Sequence, residues 1–174
     1  STGGHSCFRT STVTLASYSF SCLAKTNGRN LKLDFFGGTN NAIFDLTNGV
    51  VISTTGTGLT AKIEELTNGF YICSVTQVQT ATTIYPNILC VDGSNNSSYT
   101  GDGTSGIYIF MAQLEQGSYA TSPTLTSLTA EGTTTTRVAE VCNGAGDAST
   151  FNDSEGVLMA EISALTNSGG KWIS

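Results

Sequence analysis

Residues 99–121 read YTGDGTSGIYIFMAQLEQGSYAT, a glycine-rich loop followed by the most apolar strand that the sequence predicts. The three glycines of the loop allow a sharp reversal, because glycine adopts positive φ without steric cost. Ile107–Met111 is rich in β-branched and aromatic residues, which favours a strand. Both faces of this strand are apolar, so we expect it to lie in the middle of a sheet and in the interior of the protein.

The same loop contains the spacing G-x-G-x-x-G, from Gly101 to Gly106, which holds a pyrophosphate in dinucleotide-binding proteins. That role requires a strand before the loop and a helix after it. Here a strand follows, so we interpret the loop as a turn between two strands. Asp102 is the one candidate metal ligand, for a structural calcium ion, although a single carboxylate makes a poor site. The sequence predicts no other cofactor.

Other segments alternate apolar and polar residues with the period of two that is typical of strands. In Tyr18–Lys25 the apolar side chains are predicted to face inward, and Leu31–Phe35 repeats the pattern. Residues 46–49, Leu-Thr-Asn-Gly, predict a hairpin turn. Ala61–Glu65 fits either a strand or one helical turn. These signals together predict an all-β fold with two antiparallel sheets packed face to face.

Phe70–Val78 is predicted to be a long strand, with Thr82–Val91 as its partner. Pro86 removes a backbone donor from the second of these strands. We therefore expect that strand to lie at a sheet edge or to carry a bulge. Thr10–Leu15 alternates in a weaker way and is predicted to be a second exposed edge.

The run YTGDGTSGIY, followed by AQLEQGSYATSP, resembles a module of tailed-phage tail fibres, tail spikes and head fibres. That module is itself similar to the jelly-roll carbohydrate-binding modules of polysaccharide-degrading enzymes. Further similar segments occur along the chain in the order expected for that module: Tyr18–Lys25, Ala42–Gly49 and Asn68–Val75 before this run, and Thr136–Val141 after it. The resemblance implies a jelly-roll-like antiparallel β-sandwich over residues 1–116. An extended Thr/Ser-rich connector over residues 117–137 and the start of a concanavalin-like lectin module over residues 138–174 would follow.

The composition excludes two classes of partner. The chain has 174 residues and a net charge of −6, with no run of basic residues, so we expect no binding to nucleic acid. No apolar run reaches the length of a membrane span, so we expect no membrane insertion. Charged residues make up only 11% of the chain. A surface of serine and threonine does little to keep copies apart, which favours self-association.

The chain contains five cysteines: Cys7, Cys22, Cys73, Cys90 and Cys142. Their number is odd and no C-x-x-C pair occurs. Cys22, Cys73 and Cys90 lie in strand-like runs, where a free thiol packs as a small apolar group. We therefore predict reduced cysteines of the core rather than a disulfide framework.

No catalytic residue is predicted, and we expect the protein not to be an enzyme. His5 is the only histidine and lies in a glycine-rich terminal segment, so we interpret it as a mobile terminal residue. Glycoside hydrolysis needs two carboxylates across a cleft. Glu64 and Glu65 are adjacent, so on a strand they would point in opposite directions and could not form such a pair. Asp34, Asp45, Asp92 and Asp102 would have to converge in the fold, and nothing in the sequence says that they do, so we interpret them as scattered, solvated carboxylates.

Sugar binding requires aromatic faces beside hydrogen-bonding groups on a rigid scaffold. Tyr85 and Tyr99 flank a polar loop of Asn and Ser residues, and they are our candidates for carbohydrate binding. The alternative is that these two rings complete the core or a contact between subunits.

The resemblance implies a structural protein of a phage virion: a fibre, a spike or a decoration of the capsid surface. Such a protein would be made in the host cytoplasm and displayed on the virion surface, with host-surface glycan as an additional ligand. The implied assembly is a homotrimer beside other virion proteins, with the connector at the subunit contact. The alternative is a carbohydrate-binding module of a secreted polysaccharide-degrading enzyme, and a catalytic depolymerase ranks third.

Overall fold

The computed structural model describes residues 2–35 and 38–121. The predicted lectin-like module, and all but the first five residues of the predicted connector, lie outside the described residues. Within them, thirteen strands and one short 3-10 helix, Thr67–Gly69, are present. The strands are β1 (Thr2–Gly4), β2 (Ser6–Phe8), β3 (Ser11–Thr12), β4 (Ser17–Asn27), β5 (Asn30–Asp34), β6 (Asn41–Asp45), β7 (Val50–Thr55), β8 (Thr60–Glu65), β9 (Tyr71–Val78), β10 (Thr83–Ile84), β11 (Asn87–Val91), β12 (Ser98–Thr100) and β13 (Gly106–Gln116).

Two larger sheets contain most of these strands. The front sheet has the order β2-β11-β5-β6-β7, and the back sheet has the order β13-β4-β9-β8. Two small pairs, β1 with β12 and β3 with β10, flank them. All of these strand pairs are antiparallel. The segment whose pattern fitted a strand or a helical turn is strand β8, and residues 46–49 form the predicted hairpin between β6 and β7.

The inner faces of the two sheets form one hydrophobic core. Its fully buried members come from both sheets: Cys22 and Ala24 (β4), Leu31 and Leu33 (β5), Ala42 and Phe44 (β6), Cys73 and Val75 (β9). The rings of Phe20 on β4 and Phe35 after β5 lie 6.2 Å apart between the sheets. This arrangement confirms the all-β sandwich and the inward face predicted for Tyr18–Lys25 and Leu31–Phe35.

The interior position predicted for Ile107–Met111 is wrong. These residues lie in β13, which pairs with β4 alone and ends the back sheet within the described residues. Tyr108 is 56% exposed and Phe110 is 57% exposed, because they point away from the core. After Phe110 the register with β4 shifts by a bulge, where Met111 has a φ of 51°.

The pairing predicted for Thr82–Val91 is also wrong, because the chain changes sheets at Pro86. Before Pro86, β10 pairs with β3; after it, β11 lies between β2 and β5 in the front sheet. The expected partner, β9, pairs with β4 and β8 in the back sheet. Pro86 therefore lies between two strands, where the missing backbone donor breaks no ladder. Of Thr10–Leu15, only Ser11–Thr12 forms a strand, and β10 pairs with it.

The four described cysteines are free thiols. Cys22 and Cys73 lie directly opposite each other on β4 and β9, on the inner face of the back sheet. Burial raises the pKa of Cys22 to about 12 and raises that of Cys73 as well. Of the three cysteines predicted in strand-like runs, Cys90 is only half-buried, and Cys7 on β2 is exposed, so the prediction of core cysteines holds for Cys22 and Cys73.

Candidate functional site

The loops at one end of the sandwich bring together one arginine, Arg29, and three aspartates, Asp45, Asp92 and Asp102. We call this region the loop end: residues 27–30 between β4 and β5, residues 45–49 between β6 and β7, residues 92–97 before β12, and residues 101–105 before β13. The turns are built on glycines with positive φ, such as Gly28 and Gly49. A Cβ at Gly49 would lie 2.7 Å from Cε1 of Tyr71, so only glycine fits there.

Tyr99, one of the two predicted carbohydrate ligands, is the centre of a stack at the loop end. The ring of His5 lies 4.4 Å from the Tyr99 ring, and Cζ of Arg29 lies 4.8 Å from the centre of the same ring. Burial, followed by a hydrogen bond with Cys90, raises the pKa of Tyr99 to about 12. The Tyr99 ring is half-buried and contacts both His5 and Arg29.

His5 is not a mobile terminal residue, as the sequence suggested. It lies between β1 and β2, and its carbonyl accepts a 2.9 Å hydrogen bond from the backbone N–H of Cys90. Its ring nitrogen Nε2 lies 3.4 Å from the carbonyl of Tyr99. Pairing of β1 with β12 holds this segment against the sandwich.

Asp102, the candidate calcium ligand, accepts hydrogen bonds from its own loop and pairs with Arg29. Its Oδ1 receives the backbone N–H of Thr104 at 3.0 Å and of Ser105 at 2.7 Å, and its Oδ2 pairs with Arg29 at 2.8 Å. The hydrogen bonds from Ser105 and Thr104 hold the pKa of Asp102 well below its usual range. In the part of the chain that the structure describes, no group of three His, Cys, Asp or Glu side chains could hold a metal.

Beside Arg29 the loop end encloses a shallow depression of about 300 Å³. Arg29, Asn30, Asp45, Asn48 and Asp92 line it, together with two glycines and a threonine. Charges of both signs therefore face one small space. The guanidinium of Arg29 is only partly used, since its Nε is buried and has no hydrogen-bond partner among the described residues.

The two carboxylates of the depression are fixed by their own turns. Asp45 accepts the backbone N–H of Thr47 at 2.8 Å and the side-chain amide of Asn48 at 2.7 Å, and the Asn48 side chain is the main cause of a lowered Asp45 pKa. Asp92 accepts the backbone N–H of Asn96 at 2.8 Å, which is the main cause of its lowered pKa. Both groups are therefore ionised acceptors near neutral pH.

Tyr85, the other predicted carbohydrate ligand, lies at the opposite end of β11 from the Tyr99 stack. It is 38% exposed, and its backbone N–H donates to the carbonyl of Phe35 at 3.0 Å. The five residues of β11 separate the two ends by about 17 Å at the usual rise of a strand. The structure therefore does not bring Tyr85 and Tyr99 together.

Sequence reasoning missed Arg29, and it interpreted Asp45 and Asp92 as scattered carboxylates rather than as members of one site. Each follows or precedes a glycine turn that is visible in the sequence: Asn27-Gly28, Asn48-Gly49 and Asp92-Gly93. Which turns share an end of the sandwich depends on the strand order, and the sequence did not reveal that order.

The adjacent carboxylates Glu64 and Glu65 lie on β8, and Glu64 forms an ion pair with Lys62. Among the described residues, no helix has the length and apolar character needed to cross a membrane. No protein-family model matches this chain, and a search of curated proteins finds no match.

Proposed function

We propose that this chain is a structural module of a tailed-phage virion surface, in a fibre, a spike or a capsid decoration. It assembles as a homotrimer beside other virion proteins and also binds host-surface glycan. The module has the jelly-roll form of the antiparallel sandwich and performs no catalysis. It is made in the host cytoplasm and works outside the cell on the virion.

One observation carries this proposal: a row of apolar side chains crosses the outer face of the back sheet and ends at the open edge of β13, next to Lys25, which lies opposite Tyr108. The strand register places Phe110, Leu23 and Ile72 side by side on neighbouring strands, facing away from the core. Tyr108 lies next to Phe110 on the same face, and both are more than half exposed. Exposed aromatic residues beside an unprotected strand edge are typical of contacts between subunits.

The residues around this patch favour an oligomer over a monomer. From Ile107 to Leu114, β13 contains no charged residue. Soluble monomers usually protect an edge strand with lysine, proline or inward charges. Here, the bulge at Met111 interrupts the edge, and the five residues before it remain regular.

The test is the mass of the 174-residue chain in solution, measured by mass photometry and analytical ultracentrifugation at micromolar concentration. We expect a trimer. Phe110→Glu is expected to give a monomer with an unchanged far-ultraviolet spectrum. The matched control is Ile52→Glu on the opposite edge strand, β7, where the side chain is 41% exposed; it should leave the trimer intact.

A monodisperse monomer of the parent chain would contradict the virion assembly. It would favour the second candidate, a carbohydrate-binding module of a secreted polysaccharide-degrading enzyme, because such modules need no partner copy. The polar depression at the loop end supports glycan binding under either function.

A further inference from the structure

Arg29 has a hydrogen-bonding group that the fold leaves unused. Its Nε is buried without a partner among the described residues, although the side chain as a whole is only 15% exposed. Buried donors of this kind are rare, because each lost hydrogen bond costs stability. Arg29 also lines the depression at the loop end. The buried Nε is out of reach of a ligand there, so such a ligand would accept from N–H groups of the terminal nitrogens that Asp102 leaves unused.

The position of Arg29 is fixed before any ligand arrives. Asp102 holds one terminal nitrogen at 2.8 Å, and the Tyr99 ring lies against the guanidinium at 4.8 Å. His5 stacks on that tyrosine and is itself held by the backbone of β11. Asp102 and Tyr99 therefore hold the arginine directly, while His5 and β11 support Tyr99, and a fixed donor loses little entropy when it binds.

The charges of the depression define the chemistry of its ligand. Asp45 and Asp92 are ionised acceptors, which disfavours phosphate, sulfate or a carboxylated sugar. Arg29 in the same wall disfavours a metal cation or an amine. A neutral ligand with several hydroxyl groups satisfies both, because a hydroxyl donates to a carboxylate and accepts from a guanidinium or an amide.

We infer that the depression lined by Arg29, Asn30, Asp45, Asn48 and Asp92 is a binding site for a neutral saccharide. Asp45 and Asp92 accept hydrogen bonds from sugar hydroxyls, and Arg29 donates to a sugar oxygen. Tyr99 acts as a positioning residue for Arg29 and makes no stacking contact with the sugar. This inference rests on the glycan-binding part of the proposed function and is independent of the trimer.

The test is titration of the isotope-labelled 174-residue chain by NMR. The probes are the methyl glycosides of glucose, galactose, mannose and N-acetylglucosamine, each at millimolar concentration. We expect at least one of them to shift the backbone amides of Asn30, Asn48 and Gly93. Asp92→Asn and Asn30→Ala are each expected to weaken that sugar about tenfold, as loss of one hydrogen bond to a charged or amide group does.

Two variants separate the site from other surfaces. Tyr85→Ala, at the other end of β11, should bind the sugar as the parent does. Tyr99→Leu should weaken binding while its amide spectrum remains that of a folded protein. Asn30→Ala lies outside the turns that Asp45 and Asp92 hold, so it reports on binding even where an aspartate variant fails to fold.

Three outcomes would overturn the inference. The first is the absence of amide shifts with all four glycosides, and the second is a response to Ca²⁺ or N-acetylneuraminic acid in their place. The third is sugar binding that Asp92→Asn and Asn30→Ala leave unchanged, with amide shifts near Tyr108. That result would show that the protein binds glycan at the back sheet and not in the depression. In none of these cases does the trimer measurement change, so a failure here is distinct from a failure of the virion proposal.

Discussion

Strands β4 and β13 are neighbours of equal length, eleven residues each, yet their environments differ. β4 has a strand on both sides, and six of its residues are buried. β13 has β4 on one side only, and its aromatic residues are largely exposed. Of the two, β13 has the more apolar central run. Burial in this sandwich therefore follows position in the sheet rather than the apolar content of the strand.

The largest expected effect comes from placing the same charge at two paired positions, Ala24 of β4 and Ile109 of β13. Ala24→Asp is expected to cost about 5 kcal/mol or to abolish folding, because Ala24 is fully buried and a carboxylate there has no partner. Ile109→Asp is expected to cost about 1–2 kcal/mol, because the parent side chain is already 40% exposed. Urea unfolding followed by circular dichroism measures both. Equal losses would show that the edge of β13 is covered.

Removal of one ring from each strand is the next test. Phe20→Ala on β4 is expected to cost about 3–4 kcal/mol, since the side chain is buried and leaves a cavity. Phe110→Ala on β13 should change the free energy of unfolding by less than about 1 kcal/mol. The measurement is again urea unfolding, at a protein concentration low enough to populate monomers. A large loss at Phe110 in monomers would contradict its exposure.

Thiol chemistry sharpens the contrast between the centre of a sheet and its edge. Cys22 and Cys73 should not react with Ellman's reagent in the folded protein, because burial raises their pKa values and excludes the reagent. Cys7, exposed on the edge strand β2, should react within minutes. In denaturant without reductant, all five thiols should titrate. Two or four missing thiols would reveal disulfide bridges and an oxidising compartment.

The smallest expected effect concerns the bulge of β13. Met111 has a φ of 51°, a conformation that β-branched residues adopt at a cost of about 1–2 kcal/mol. We expect Met111→Val to lose about 1 kcal/mol of stability and Met111→Gly to stay within about 0.5 kcal/mol of the parent. Thermal unfolding of the two variants and the parent measures these differences in stability. A valine as stable as the glycine would show that the bulge relaxes.

Local pattern predicted the inner faces of β4 and β5, because alternation reports directly which residues share a face. The hairpin at Asn48-Gly49 was also visible, since its turn chemistry lies within four residues. The edge position of β13 was not predicted, because an apolar strand has the same sequence pattern in the middle of a sheet as at an edge that contacts another subunit. The order of the strands, which separates β9 from β11, depends on contacts distant in sequence.

The candidate site also depends on contacts between residues that are distant in sequence, so local pattern did not predict it. Tyr99 was identified from its aromatic ring, but the Arg29 guanidinium that lies against this ring was not. The site depends on turns that are 16 to 63 residues apart, from Arg29 to Asp45 and to Asp92. Only the register of β5 with β6 and with β11 brings them to one end.

The pairing of β4 with β13 has a consequence for how the chain folds. Tyr18 and Gln116 meet across 98 residues of sequence, and Thr2 pairs with Thr100 over an equal span. Contacts this distant slow the search for the native state, to times on the order of milliseconds to seconds. On the ribosome, β4 is synthesised long before its edge partner emerges. A pause in translation between them would leave β4 with an open edge until β13 appears.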